Sequence, residues 1–282
     1  MSGLLTDMAR LSYERYEQAK ASVSEVQLWE RANAMAPPPT LRLSAEGFDL
    51  IAECKLHSPS AGNLSSHTSD VQSRVAAYGL GGAAAVSVLT EPTRFGGTLE
   101  HLTQAAQVLT PLGVPTMRKD FLVEPYQVME ARVAGAGGIL VIARMLDKSR
   151  ITALLDCAVM LRLFVLIEAF DVEDVALIND VLSTRRQHDE KILVGINCRD
   201  LQSLKVNFER FAELVSFLPN NYPKVAESGV GNTEDVRRVA QLGFKMALIG
   251  TTLMNSPDPR LLAEQLLYAG RQAALSLEMM KR

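Results

Sequence analysis

From Asp49 onward the chain alternates short apolar runs with longer stretches of helical periodicity. The runs are DLIAEC (49–54), AAAVSVLT (83–90), VPTMRK (114–119), GILVIA (138–143), RLFVLIEA (162–169), ILVGINCR (192–199), PKVAES (223–228) and MALIGT (246–251). Between them lie segments such as VQSRVAAYGL, EPYQVMEARVAGA and TEDVRRVAQLGF, whose apolar positions recur at helical spacing. Near-continuous apolar strands alternating with helices predict an α/β fold with a parallel sheet covered on its outer face. Eight such units predict closure into a (β/α)8 TIM barrel. A doubly wound open sheet is the runner-up. That fold usually carries a glycine-rich turn after its first strand, whereas this chain has KLHSPSAG there. Gly135, Gly137 and Gly243 are read as helix terminators, since glycine adopts the left-handed conformation cheaply.

Residues 4 to about 35 read as one helix, which Ala36-Pro37-Pro38-Pro39 stops. The expected organisation is therefore a helical extension over residues 1–48, packed on a catalytic barrel over residues 49–282.

In such a barrel, active sites form at the C-terminal ends of the strands. The first run ends Glu53-Cys54-Lys55, the third Arg118-Lys119-Asp120 and the fifth with Glu168; the sixth ends Asn197-Cys198-Arg199-Asp200 and the seventh Glu227-Ser228-Gly229. Side chains alternate faces along a strand. Glu53 and Lys55 then share one face and Asn197 and Arg199 another, which turns Cys54 and Cys198 toward the helices. Surface salt bridges would account for one charged strand end, but not for five of them. Structural pairing is the expected role of Arg118 and Asp120 individually. The seventh and eighth runs end in Ser228-Gly229 and Gly250-Thr251. Loops after these two strands often hold phosphate through backbone N–H groups, and glycine permits close approach. Ser58, Ser60 and Lys55 would add donors from the first loop.

Composition narrows the classes. Of 282 residues, 48% are hydrophobic and 22% charged, and the net charge is −3. No general affinity for nucleic acid follows, so local groups must hold an anionic ligand. The N-terminus carries acids and lacks the apolar core of a signal peptide, and no apolar run is long enough to span a bilayer. The three cysteines (Cys54, Cys157, Cys198) form no CxxC pair, and the four histidines (His57, His67, His101, His188) lack ligand spacing. A reduced, cytoplasmic protein without a metal site is expected.

Several segments then resemble one family. IAECKLHSPSAG (51–62), SVLTEPTRFGGT (87–98), MRKDFLVEPYQVMEAR (117–132), LIEAFD (166–171), GINCRDL (195–201), AESGV (226–230) and LIGTTLM (248–254) are similar, in order, to the motifs of indole-3-glycerol-phosphate synthases. The resemblance implies conversion of 1-(o-carboxyphenylamino)-1-deoxyribulose 5-phosphate to indole-3-glycerol phosphate, carbon dioxide and water, without a cofactor. It implies that Lys119 is a general acid at the sugar carbonyl and Glu168 a general base, with Glu53 and Lys55 orienting and neutralising partners. Asn197 and Arg199 resemble a substrate-positioning pair, and Glu227 and Ser228 the residues at the seventh strand end. Ser58, Gly229, Gly250 and Thr251 match the substrate and phosphate region, with Lys55 also near it. Phe95, Phe121 and Leu201 match an apolar wall for the anthranilate ring. The implied partner is a small phosphorylated anilino-sugar, bound by a monomer or weak homodimer.

The chain also departs from the family pattern. Leu56-His57 and Ala61 stand where basic residues are common, Ala169-Phe170 replaces Val-His, and Cys198 replaces Asn or Ser. Residues up to about 48 match poorly, and 183–191 read as a polar insertion. Three alternatives stay open: a related phosphoribosylanthranilate-type isomerase, a paralogue of specialised indole metabolism, and a non-catalytic barrel.

Overall fold

The computed structural model describes residues 3–58, 62–63, 71–185, 191–200 and 203–280. Its eight main strands are β1 (Asp49–Cys54), β2 (Ala85–Leu89), β3 (Thr116–Lys119), β4 (Gly138–Ile142), β5 (Phe164–Ala169), β6 (Ile192–Asn197), β7 (Lys224–Glu227) and β8 (Met246–Ile249). All pair in parallel with their neighbours in sequence, and β1 pairs with β8 from Asp49↔Met246 to Ala52↔Ile249. The sheet is a closed barrel. Every apolar run of the sequence contains one of these strands.

Period-two alternation sorts the core into two layers. Ile51, Ala85, Met117, Leu140, Leu193 and Val225 join one cluster inside the barrel. Val86, Val88, Val141, Val165, Val194 and Ala226 face the helices in another. Gly135 and Gly243 do adopt positive φ, 90° and 94°. Gly137 does not end a helix in this way. A Cβ there would lie 2.7 Å from Pro115 Cβ and 3.0 Å from the Pro39 carbonyl, so the position is kept small by packing.

The N-terminal segment forms two helices rather than one: α1 (Gly3–Ser22) and α2 (Glu25–Ala34). Ser24 breaks the run. Its hydroxyl accepts from Gln27 N at 3.3 Å while Gln27 Oε1 accepts from Ser24 N at 3.2 Å, a capping box that restarts the helix. This segment runs from one end of the barrel to the other. Leu5 of α1 packs with Ile142 and Phe170 in the lumenal cluster, at the C-terminal strand ends. Beyond α2, the Leu41 carbonyl accepts from Lys191 Nζ at 3.5 Å, beside the start of β6. The helix Pro125–Val133 anchors the path between: Tyr126 donates to Val23 O at 2.9 Å and Arg132 to Met35 O at 2.8 Å.

Candidate active site

A cavity of about 330 Å³ opens at the C-terminal ends of the strands. Strand alternation puts its polar groups there: Glu53 ends the inward face of β1, Lys119 that of β3, Glu168 that of β5, Asn197 that of β6 and Glu227 that of β7. With Lys55, Arg199, Ser228, Gly229, Gly250 and Thr251, and with Phe95 and Phe121, they line one cavity. The rings of Phe95 and Phe121 stand 6.0 Å apart between centroids. Leu201 and the side chain of Ser58 lie outside the described residues, as do Ser60 and Ala61.

The ionic arrangement is dense. Lys55 Nζ lies 2.6 Å from Glu53 Oε1, and Lys119 Nζ lies 3.5 Å from Glu168 and 3.8 Å from Glu227. Asn197 Nδ2 donates to Glu168 Oε1 at 3.0 Å, and Asn197 Oδ1 in turn accepts from Arg199 N at 2.9 Å. Burial alone would push Glu53 up, but the Lys55 and Lys119 ammoniums outweigh it and hold the carboxyl below its usual range. Burial alone would likewise lower Lys119, but Glu168, Glu227 and Glu53 together raise it, so it keeps its proton through neutral pH. Glu227 goes the other way. It is buried, and neither carboxyl oxygen meets a hydrogen-bond donor among the described residues; burial, then the Glu168 charge beside it, push it well above the usual carboxylate range. Two glutamates are thus set apart by environment, with Glu53 ionised and Glu227 biased toward its neutral form.

Both cysteines point away from this chemistry. Cys54 packs in the outer layer, where burial pushes its thiol up to about 12. Cys198 donates to the Ser228 carbonyl at 3.1 Å, and burial raises it to about 11. Neither is poised as a thiolate nucleophile.

The sequence profile described as indole-3-glycerol phosphate synthase matches residues 9–266. The chain belongs to the indole-3-glycerol phosphate synthase family. Relatives bearing that name include those of Mycobacterium ulcerans (strain Agy99), 38% identical over 85% of either chain, and Mycobacterium avium (strain 104), 37% identical over 90% of this chain and 89% of the relative. The synthase of Beutenbergia cavernae is 36% identical over 98% of this chain and 96% of its own. Among solved structures, 3-hexulose-6-phosphate synthase from Salmonella typhimurium superposes with a TM-score of 0.57 at 12% identity, over 82% of this chain and 100% of that one. At that identity the likeness shows the barrel fold alone. The family match begins at residue 9, within α1, and takes in α2.

Several cavity residues escaped the sequence reading. Leu140, Ile142 and Leu248 lie on the inward faces of their strands; alternation alone would have found them. Thr252, Val230 and Gly231 extend the two expected loops. Leu4 and Leu5 come from α1, and no local signal marks them, because their place at the mouth depends on packing. Phe170, where synthases commonly carry histidine, lines the cavity with the Arg144 guanidinium 4.6 Å from its ring centroid. Arg144 is itself held by Asp171 and Asp174.

Gly250 carries a constraint beyond approach to an anion. A Cβ there would lie 2.3 Å from Glu53 Oε1, and one at Gly195 would lie 2.1 Å from Glu227 Oε1. These two glycines leave room inside the barrel for two carboxyl groups. After β7, Ser228 and Gly229 both take positive φ, 66° and 72°. For Ser228 this is strained backbone, of the kind found at functional sites.

Glu227 yields a stability prediction. Its raised folded-state pKa means that stability present below the unfolded pKa is lost as pH rises through the folded value. Glu227→Gln removes that loss. The gain in Tm over wild type should be small at about pH 5 and larger at about pH 8. Scanning calorimetry at both values decides it, and a pH-independent difference would contradict the assignment.

Proposed function

We infer that the chain is an indole-3-glycerol-phosphate synthase, a carboxy-lyase of tryptophan biosynthesis. It closes, decarboxylates and dehydrates 1-(o-carboxyphenylamino)-1-deoxyribulose 5-phosphate. The observation that carries this reading is the set of charged side chains around Lys119, in one cavity with the Phe95 and Phe121 rings, in a chain of this family.

The roles follow from the chemistry each step needs. Attack of the aromatic carbon on the sugar carbonyl builds negative charge on the carbonyl oxygen. The Lys119 ammonium, kept charged by its carboxylate neighbours, is the group to stabilise and protonate it. Loss of carbon dioxide removes charge from the ring and is favoured by the apolar side of the cavity, where Leu140, Ile142 and Phe170 meet Leu5. The hydroxyl left by ring closure must then depart as water and a proton must leave the adjoining carbon. Glu168, oriented by Asn197, is placed to take that proton. Glu227, biased toward its neutral form, and Lys55 are the groups that could supply one. The division of labour between the two lysines is left open. Residues 228–231 and 250–252, at the ends of β7 and β8, are the proposed seat of the phosphate, with Arg199 and Ser228 toward the sugar. Cys54, Cys157 and Cys198 are all free thiols, which suits a reducing cytoplasmic compartment. Among the described residues no helix is long and apolar enough to cross a membrane.

The test is turnover of the anilino-ribulose phosphate, followed by the rise of indole fluorescence. Stoichiometric release of carbon dioxide with indole-glycerol phosphate is expected. Conversion of phosphoribosylanthranilate instead would favour the isomerase, and no turnover of either the non-catalytic barrel.

A further inference from the structure

We propose that Arg15, in the N-terminal helix, is a positioning residue for the reaction, bridging two buried carboxylates that fix the aromatic wall and the backbone next to Lys119. This rests on the reading of the cavity given above. Arg15 does not line the cavity itself. Its two terminal nitrogens each meet a carboxylate: NH2 lies 2.6 Å from Asp120 Oδ1 and NH1 3.4 Å from Glu91 Oε1. The Arg15 side chain is 25% exposed, while those of Asp120 and Glu91 are 0% and 1% exposed. The helix thus supplies, from outside the barrel, a cation for two carboxylates sunk in it.

Each carboxylate holds one ring of the wall by its backbone. Asp120 Oδ1 accepts from Phe121 N at 2.8 Å, and Asp120 directly follows Lys119. Glu91 caps the short helix Pro92–Phe95, accepting from Arg94 N at 2.7 Å and Phe95 N at 3.2 Å. A single guanidinium therefore ties together the amides of Phe95 and Phe121, whose rings form a tilted pair in the cavity wall. Arg118 cannot substitute. It already serves Asp120 at 3.1 Å, Glu130 at 3.1 Å and the Gln127 carbonyl at 2.8 Å. A second contact from α1 keeps the helix in place without Arg15: Gln127 Nε2 donates to Ser12 Oγ at 2.8 Å, and Gln127 Oε1 accepts from Val123 N at 2.8 Å in the same loop. Loss of Arg15 should then loosen the wall without undocking the helix. A lysine, with one compact ammonium, can satisfy one carboxylate but not span both.

The experiment compares Arg15→Met, Arg15→Lys and, as a control on the exposed side of the same helix, Arg10→Met, all assayed with the anilino-ribulose phosphate. Arg15→Met should lower kcat by between about 10-fold and 100-fold, the scale of a small misplacement of groups next to the reacting atoms. Circular dichroism should stay that of the wild type. Arg15→Lys should recover part of the loss, and added guanidinium ion at non-denaturing concentration should partly rescue Arg15→Met but not Lys119→Ala. Arg10→Met should match wild type. A merely structural arginine would lower Tm while leaving kcat of the folded protein unchanged, and that result overturns the proposal. So does full activity of Arg15→Lys, which keeps the test open should Arg15→Met fail to fold. A wild type without turnover overturns the functional reading and this one with it, whereas an active wild type with unaffected Arg15 variants overturns this one alone.

Discussion

Replacing Lys119 with alanine is expected to lower kcat by about 10²–10⁴-fold while the barrel stays folded. The lysine sits among Glu168, Glu227 and Glu53, which keep it charged. No other described cation can take its position: Lys55 is held 2.6 Å from Glu53, and the Arg199 guanidinium donates to the Leu204 carbonyl at 2.8 Å. The fold should survive because Lys119 is the last residue of β3 and points into a cavity, so alanine leaves no gap in packed apolar core. The removed charge has a second consequence. Glu53 and Glu227 lose a counter-ion, which favours their protonated forms relative to wild type. Stability of the variant relative to wild type should therefore fall as pH rises, since groups with raised folded-state pKa lose stability in that direction. Kinetics with indole fluorescence, paired with thermal melts of both proteins followed by circular dichroism at about pH 5 and about pH 8, give both readings. Near-normal kcat in a folded Lys119→Ala protein would remove the lysine from the mechanism.

The second large effect is expected at Gly250. A role limited to phosphate approach predicts that a side chain there raises KM and leaves kcat alone. The structure predicts more. The new Cβ would stand 2.3 Å from Glu53 Oε1, 3.0 Å from Cδ and 3.1 Å from Cβ. Glu53 is buried and tied to Lys55, so it has little freedom to retreat. Overpacking of this kind typically costs about 1–3 kcal/mol of stability. Displacing Glu53 should also cost about 100-fold in kcat. Gly250→Ala is enough to create the clash. The decisive measurement is a double-mutant cycle with Glu53→Ala: neighbours that act through one another are not additive. In the Glu53→Ala background the glycine substitution should cost little more in kcat. Additive losses would show that Gly250 acts independently of Glu53, through the anion.

Much of this was legible before any coordinates. Each strand is a short apolar run closed by a turn, so its length and place are local properties. Glu53, Lys119, Glu168, Asn197 and Glu227 were legible as strand ends, because a parallel barrel brings the C-terminal ends of all its strands to one mouth, and alternation paired Glu53 with Lys55 and Asn197 with Arg199. The same parity turned Cys54 and Cys198 outward. Even the break between α1 and α2 was written as Ser24-x-x-Gln27, although the longer periodicity hid it.

Other features needed the closed chain. That Gly250 yields space to Glu53, and Gly195 to Glu227, depends on which strands become neighbours and in what register: β8 beside β1, and β7 beside β6. The opposed environments of Glu53 and Glu227 come from distances between residues 174 positions apart in the chain, 227 minus 53. Burial and unlike neighbours set those environments, and neither is a property of a local segment. The largest such case is α1. Its sequence specifies an amphipathic helix and nothing about destination, yet Leu4 and Leu5 line the cavity and Arg15 reaches Asp120. Local sequence fixes periodicity and turn, which are short-range steric and hydrogen-bonding preferences. The partner of a charged or apolar side chain is decided only when distant segments close around it, because Coulomb and packing energies depend on separation in space.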